Sequence, residues 1–163
     1  MTTSFATQRI YTRSRGRRDT CGDFVCVHCH SFVSAHVVLA GVNNRNHCPY
    51  CLSSRHLDLY AAGDRLAACR ARMKPIGLTL KRRSKKYARC DQGELMIVHR
   101  CEDCGRIAIN RIAADDDSEA LVAVYRHSLH GDDVLYRRLA DEGIMLLGEA
   151  DRQIVEWRLF GRN

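Results

Sequence analysis

The chain has 163 residues, 45% of them hydrophobic, only two prolines, and a net charge of +7. That length allows one domain, or one domain with a small satellite, and no apolar run approaches the about 18 residues that a membrane span needs. The N-terminal stretch MTTSFATQRIYTRSRGRR lacks the apolar core of a secretory signal, so the chain is expected in the cytosol, away from membranes.

The charge is divided. Residues 1–114 hold 20 Lys and Arg against 8 Asp and Glu, and residues 115–163 hold 6 against 11. A basic body with an acidic tail predicts a polyanion partner for the body, and a packing, shielding or protein-binding role for the tail.

In chain order, residues 1–20 carry Arg9, Arg13, Arg15, Arg17 and Arg18 with little apolar content, which predicts a disordered basic arm. Residues 24–40 read as a short strand, a cysteine knuckle and a second strand near Ser34–Val38. Gly41 to Asn46 is turn chemistry, and a second knuckle follows at Cys48 and Cys51. Arg65 to Met73 reads as one or two helical turns. Ile76–Arg83 and Glu94–Arg100 read as strands of a long hairpin, and Ile107 to Ile112 as a third strand. Past Asp115, three helices are predicted. One is capped by Asp117 or Ser118, with Leu121, Val124 and Tyr125 on its apolar face. The next is capped by Asp132 or Asp133, with Val134, Leu135 and Leu139. The last runs from about Glu149 to Phe160, with Ile154, Val155, Trp157, Leu159 and Phe160. The expected architecture is a small β-rich, zinc-ribbon or treble-clef-like domain over residues 21–114 with an acidic helical extension over 115–163, an α+β chain.

The cysteines carry the chemistry. Six of nine stand in pairs with two residues between them: Cys26 and Cys29, Cys48 and Cys51, Cys101 and Cys104. Such a step brings two thiolates to one side of a tight turn, and Zn²⁺ closes a tetrahedron over two of these turns. In a reducing compartment this pattern means metal rather than disulfide. Cys26, Cys29, Cys48 and Cys51 form a closed, structural set. Cys101 and Cys104 need two further ligands from Cys69, His99, Cys90 and His56. Cys69 comes first, because its basic neighbours favour the thiolate. His99 is the candidate fourth ligand, although residues so near Cys101 often cannot reach the same ion. The pairs can also interleave, so the spacing gives one or two Zn²⁺ and leaves the pairing open. Cys21 and Cys90 read as free thiols. Gly often follows the second cysteine of a knuckle, where φ is positive; Gly105 does so here, but His30 and Leu52 fill the other two positions.

From Arg45 through Asn46, His47, Cys48 and Pro49 to Cys51, the chain resembles the RNHCP-domain proteins of bacteria and archaea. The resemblance continues at His56, Asp58, Gly63 to Arg65, Cys69, Met73, Pro75, Ile76, Gly93, Glu94, His99 to Cys101, Cys104, Gly105, Asn110, Arg111, Ala113, Asp115 and Asp116. It spans roughly residues 24–116. Ser53 stands where the family usually has an aromatic residue, and His30 where it often has Gly. The resemblance implies a small zinc-binding domain and little about mechanism.

For function, residues 65–90 hold ten Lys and Arg and no acid. Lys81, Arg82, Arg83, Lys85, Lys86 and Arg89 are placed to follow a phosphate track, with Tyr87 to stack on a base. The leading expectation is binding to RNA or a ribonucleoprotein such as the ribosome. The alternatives are an HNH-like, metal-dependent nuclease around His56, Asp58 and His99, and an adaptor that takes a protein partner on its C-terminal helices.

Overall fold

The computed structural model describes residues 22–81 and 93–161. Strands β1 (Phe24–Val25) and β2 (Phe32–Val33) form an antiparallel hairpin around the first knuckle. The expected strand over Ser34–Val38 does not form: β2 ends at Val33, residues 34–36 are irregular, and a single helical turn follows, α1 (Val37–Ala40). Local chemistry overrides the β-branched pair Val37 and Val38. The His36 ring accepts the N–H of Val38, and Gly41 closes the turn at φ 66°, where its N–H bonds the Val37 carbonyl.

Four antiparallel strands form the main sheet in sequential order: β3 (Ser54–Arg55), β4 (Arg72–Lys81), β5 (Glu94–Cys101) and β6 (Ile107–Arg111). The β4–β5 hairpin runs from Met73 opposite Cys101 to Lys81 opposite Glu94, with a register shift between Pro75 and Gly77. Pro75 has no N–H to give the ladder, and the irregularity absorbs it. β4 therefore starts at Arg72, upstream of the predicted Ile76. Arg82 and Arg83, predicted to end it, lie outside the described residues. No helical turn forms over 65–71. The Asp64 carboxylate accepts the N–H groups of Leu59, Tyr60, Ala61 and Leu66, and Arg65 and Arg70 take positive φ, which a helix does not allow. Burial pushes the Asp64 carboxyl up, but these four donors outweigh it and hold its pKa well below the usual range.

Helices α2 (Ser118–Ser128) and α3 (Asp133–Asp141) start at Asp117 and Asp132, whose carboxylates accept N–H groups of the first turn. The third opens as a 3₁₀ turn at Glu149–Asp151 and continues as α4 (Arg152–Phe160). Leu121, Tyr125, Leu147 and Val155 share one core with Leu52, Leu78, Leu95 and Ile97. A second core joins Val98 and Ile107 to Leu139 of α3. β5 is thus buried on both faces, which explains its continuous apolar run. The outer edge of β4 is covered at one end by β3. At the other, the Leu147 N–H bonds the Leu78 carbonyl and the Thr79 hydroxyl bonds the Met145 carbonyl at 2.6 Å. The result is an α+β chain whose sheet carries the C-terminal helices. No helix among the described residues is long and apolar enough to cross a membrane.

Candidate metal centres

All three cysteine steps fold into the same turn. The N–H of Cys26, Cys48 and Cys101 bonds the carbonyl five residues on, at Ser31, Ser53 and Arg106, at 2.8–3.0 Å. The N–H of His30, Leu52 and Gly105 bonds back to the carbonyl of the first cysteine at 2.9–3.1 Å. Closing this turn puts the residue after the second cysteine at positive φ: 60° at His30, 57° at Leu52 and 70° at Gly105. Only Gly105 adopts that conformation without steric cost. His30 is exposed, so His30→Gly is expected to stabilise the zinc-loaded protein by about 0.5–1 kcal/mol, read as a raised chemical-denaturation midpoint. The opposite result is expected at Leu52, which lies fully buried in the main core.

The turns converge on two separate clusters, without interleaving. In the first, the sulfur of Cys26 lies 3.6 Å from that of Cys51, and Cys29 3.6 Å from Cys48. In the second, Cys69 lies 3.7 Å from Cys101 and 3.9 Å from Cys104. A zinc tetrahedron with bonds of about 2.3 Å spaces its sulfurs about 3.8 Å apart, so both sets match the spacing the ion imposes. The fourth member of the second set is His56, whose Nδ1 sits 2.8 Å from the Cys69 sulfur and 3.3 Å from Cys104. Two Cys/His sites thus fit one or two Zn²⁺, and neither contains a disulfide. Cys21 and Cys90 lie outside the described residues.

The thiols respond to this crowding. The Ser31 hydroxyl pulls Cys29 down to about 6. Burial, with the Cys101 and Cys104 thiols beside it, pushes Cys69 up to about 11. Burial also raises Cys48 and Cys51. At Cys101 burial acts upward too, but the N–H groups of Cys104 and Asp103 outweigh it and lower the thiol. Metal binding at these sites releases protons and weakens on acidification.

His99, the fourth ligand proposed from sequence, faces elsewhere. Its Nε2–H donates to the Leu52 carbonyl at 2.7 Å, and the Asn110 amide donates to its Nδ1 at 2.9 Å. Both ring nitrogens are engaged, and the side chain is fully buried. Burial pushes its pKa down to about 3, so the ring is neutral and braces the second knuckle against the sheet. His56 joins the three thiols instead because β3 pairs with β4 and its own N–H bonds the Ala71 carbonyl, near Cys69.

A buried ionic network ties the first centre to α2. The Arg45 guanidinium, with no exposed side-chain surface, meets Asp115 at 2.7 Å and Asp116 at 3.2 Å and donates to the carbonyls of His47 and Ser34. His47 Nε2 lies 2.8 Å from Asp116, which also accepts the Ala113 N–H.

A model of the RNHCP domain family matches residues 21–122, well over half of the chain. The chain belongs to the RNHCP family. No curated protein and no solved structure matches it. The RNHCP motif now has a physical reading. Arg45 and His47 hold the acidic pair at 115–116. The Asn46 carbonyl accepts the Ser54 hydroxyl and the Arg55 N–H, which seats β3. Cys48 belongs to the first cluster, and the Pro49 carbonyl accepts the Asp117 N–H at the start of α2. The partner role of Asp116 was not assigned from sequence. Its signal was a lone buried arginine beside a knuckle, which must find a carboxylate.

The residues of the nuclease alternative do not assemble. His56 faces the three thiols and His99 is sealed in the core. Asp58 accepts the N–H groups of Gly63 and Arg65, closing the 58–65 loop. Of the basic set, Lys81 is exposed at the end of β4; Arg82, Arg83, Lys85, Lys86, Tyr87 and Arg89 lie outside the described residues.

Proposed function

We propose that this RNHCP protein is a zinc-braced, ribbon-type scaffold that binds RNA or a ribonucleoprotein such as the ribosome, in the cytosol. The observation that carries the reading is the run of ten Lys and Arg without an acid over residues 65–90, a stretch that contains β4, the strand paired with β5. Two further features support it. Four protein donors at each centre leave no coordination position for substrate, which favours structure over catalysis. Lys74 and Lys81 are also exposed along β4.

RNA affinity is expected to fall with salt, with a slope of log K against log salt of about −4 if the six cations from Lys81 to Arg89 each meet one phosphate. Replacing those six with Gln is expected to remove most of the binding and most of the slope, in a filter-binding or anisotropy titration. Binding that ignores salt, or survives the sixfold replacement, would sink the proposal.

A further inference from the structure

A cavity of about 190 Å³ lies against the second metal centre, between the 57–62 loop and β6. Asn46, Arg55, His56, Asp58, Arg106 and Asn110 stand in its wall. His56 is 4% exposed, and its Nε2 is buried without a hydrogen-bond partner among the described residues. With Nδ1 turned to the thiols, a metal-bound His56 carries its proton on Nε2. A ligating histidine normally gives that N–H to a carboxylate, a carbonyl or water. An orphaned buried donor is costly, so an acceptor belongs in this cavity.

The rest of the wall says which kind. Arg55 and Arg106 form no ion pair among the described residues, and the Asn46 side-chain amide has no partner there either. Asp58, the acid in the wall, is committed to the N–H groups of Gly63 and Arg65 and to the Arg65 guanidinium. Three thiolates against Zn²⁺ leave one negative charge at the centre, which two guanidiniums exceed. The donors come from three directions: β3, the turn after Cys104, and the buried ring. A carboxylate has two oxygens for them. A phosphate has three or four arranged tetrahedrally, and guanidinium forks match that group.

We propose that this cavity is a phosphate-binding site, read by Arg55, Arg106 and the Nε2–H of a zinc-bound His56. The phosphate arrives free or as the terminal group of a nucleic acid. The site stands independently of the basic hairpin, because neither arginine belongs to residues 65–90.

The test is calorimetry of the zinc-loaded full chain with inorganic phosphate, at fixed ionic strength. One saturable site is expected. Arg55→Gln with Arg106→Gln should weaken it by about tenfold or more. His56→Cys keeps a fourth donor, but it deletes the ring N–H and adds a second negative charge at the centre, and together these should weaken phosphate by about threefold or more, with zinc content read in parallel. Short RNA with and without a terminal phosphate then separates the sources. Tighter binding of the phosphorylated oligomer, lost in the double-arginine variant, assigns the site to a nucleic-acid end. Equal binding of the two assigns it to free phosphate. Absence of saturable phosphate binding, or binding that both variants retain in full, would overturn the site and mean that the cavity holds only solvent. RNA affinity that persists beside such a failure would leave the hairpin reading standing.

Discussion

Replacing Asp116 with alanine is expected to cost about 3–5 kcal/mol at saturating zinc, the loss that follows when one partner of a buried ion pair is removed. The carboxylate is the junction of three contacts: Arg45, His47 and the Ala113 N–H. Without it the Arg45 guanidinium stays fully buried, and its remaining acid, Asp115, has a side chain 39% exposed. The His47 ring loses its acceptor, and the start of α2 keeps only the Pro49 carbonyl–Asp117 N–H bond as its direct tie to the second knuckle. Against a total stability of about 5–15 kcal/mol, that places the variant near the margin of folding. Asp115→Ala removes a solvent-screened partner and is expected to cost about 1 kcal/mol. Chemical denaturation of the two variants side by side checks the argument. An Asp116→Ala protein within about 1 kcal/mol of wild type would show that the network is not what holds the knuckle to the helix.

Stripping zinc is expected to have a larger effect still. Among the described residues, the first centre sits over a small buried cluster of Cys26, Val33 and Cys48, with Phe24 and Cys51 against it. Three of those five residues belong to the Cys₄ cluster, so an ion held there would stand where an apolar core would otherwise be. The two-residue strands β1 and β2 bury too little to order themselves, and a structural zinc supplies about 10 kcal/mol or more of apparent folding energy. The second centre joins His56, Cys69 and the β5–β6 turn, but that region also rests on the main core. Chelation at neutral pH is therefore expected to abolish amide protection over residues 22–53 and to leave part of it in β4, β5 and α2, as read by hydrogen exchange. Full protection of 22–53 in metal-free protein would contradict this ordering.

Much of this was legible because the signals were local. The knuckles, the β4–β5 hairpin, β6 and the caps Asp117 and Asp132 each follow from residues within one turn or strand of themselves. What sequence left open was long-range. His56 takes the place expected for His99 because β3 pairs with β4, which sets Ser54 opposite Met73 and Arg55 opposite Arg72. His99 lies two residues before Cys101 on one strand, but its ring is drawn to the Leu52 carbonyl. Asp64 hid the failure of the predicted helical turns, since four N–H groups converging on one carboxylate leave no periodic trace. Charge set the acidic tail apart as an extension, while its apolar helix faces pointed to packing, and Leu121, Tyr125 and Val155 do join the core of the sheet. Charge reports the solvent face of a helix and says nothing of what its apolar face covers.

Two closed Cys/His sets stand ready to brace this fold, the second built on His56 rather than His99. Bound zinc per chain, measured by elemental analysis after dialysis against a weak chelator, tests it most directly. Two zincs are predicted in wild type and in His99→Gln, falling to one in Cys69→Ser and His56→Ala. One zinc in wild type, or a site that His99→Gln empties while His56→Ala retains it, would contradict the account.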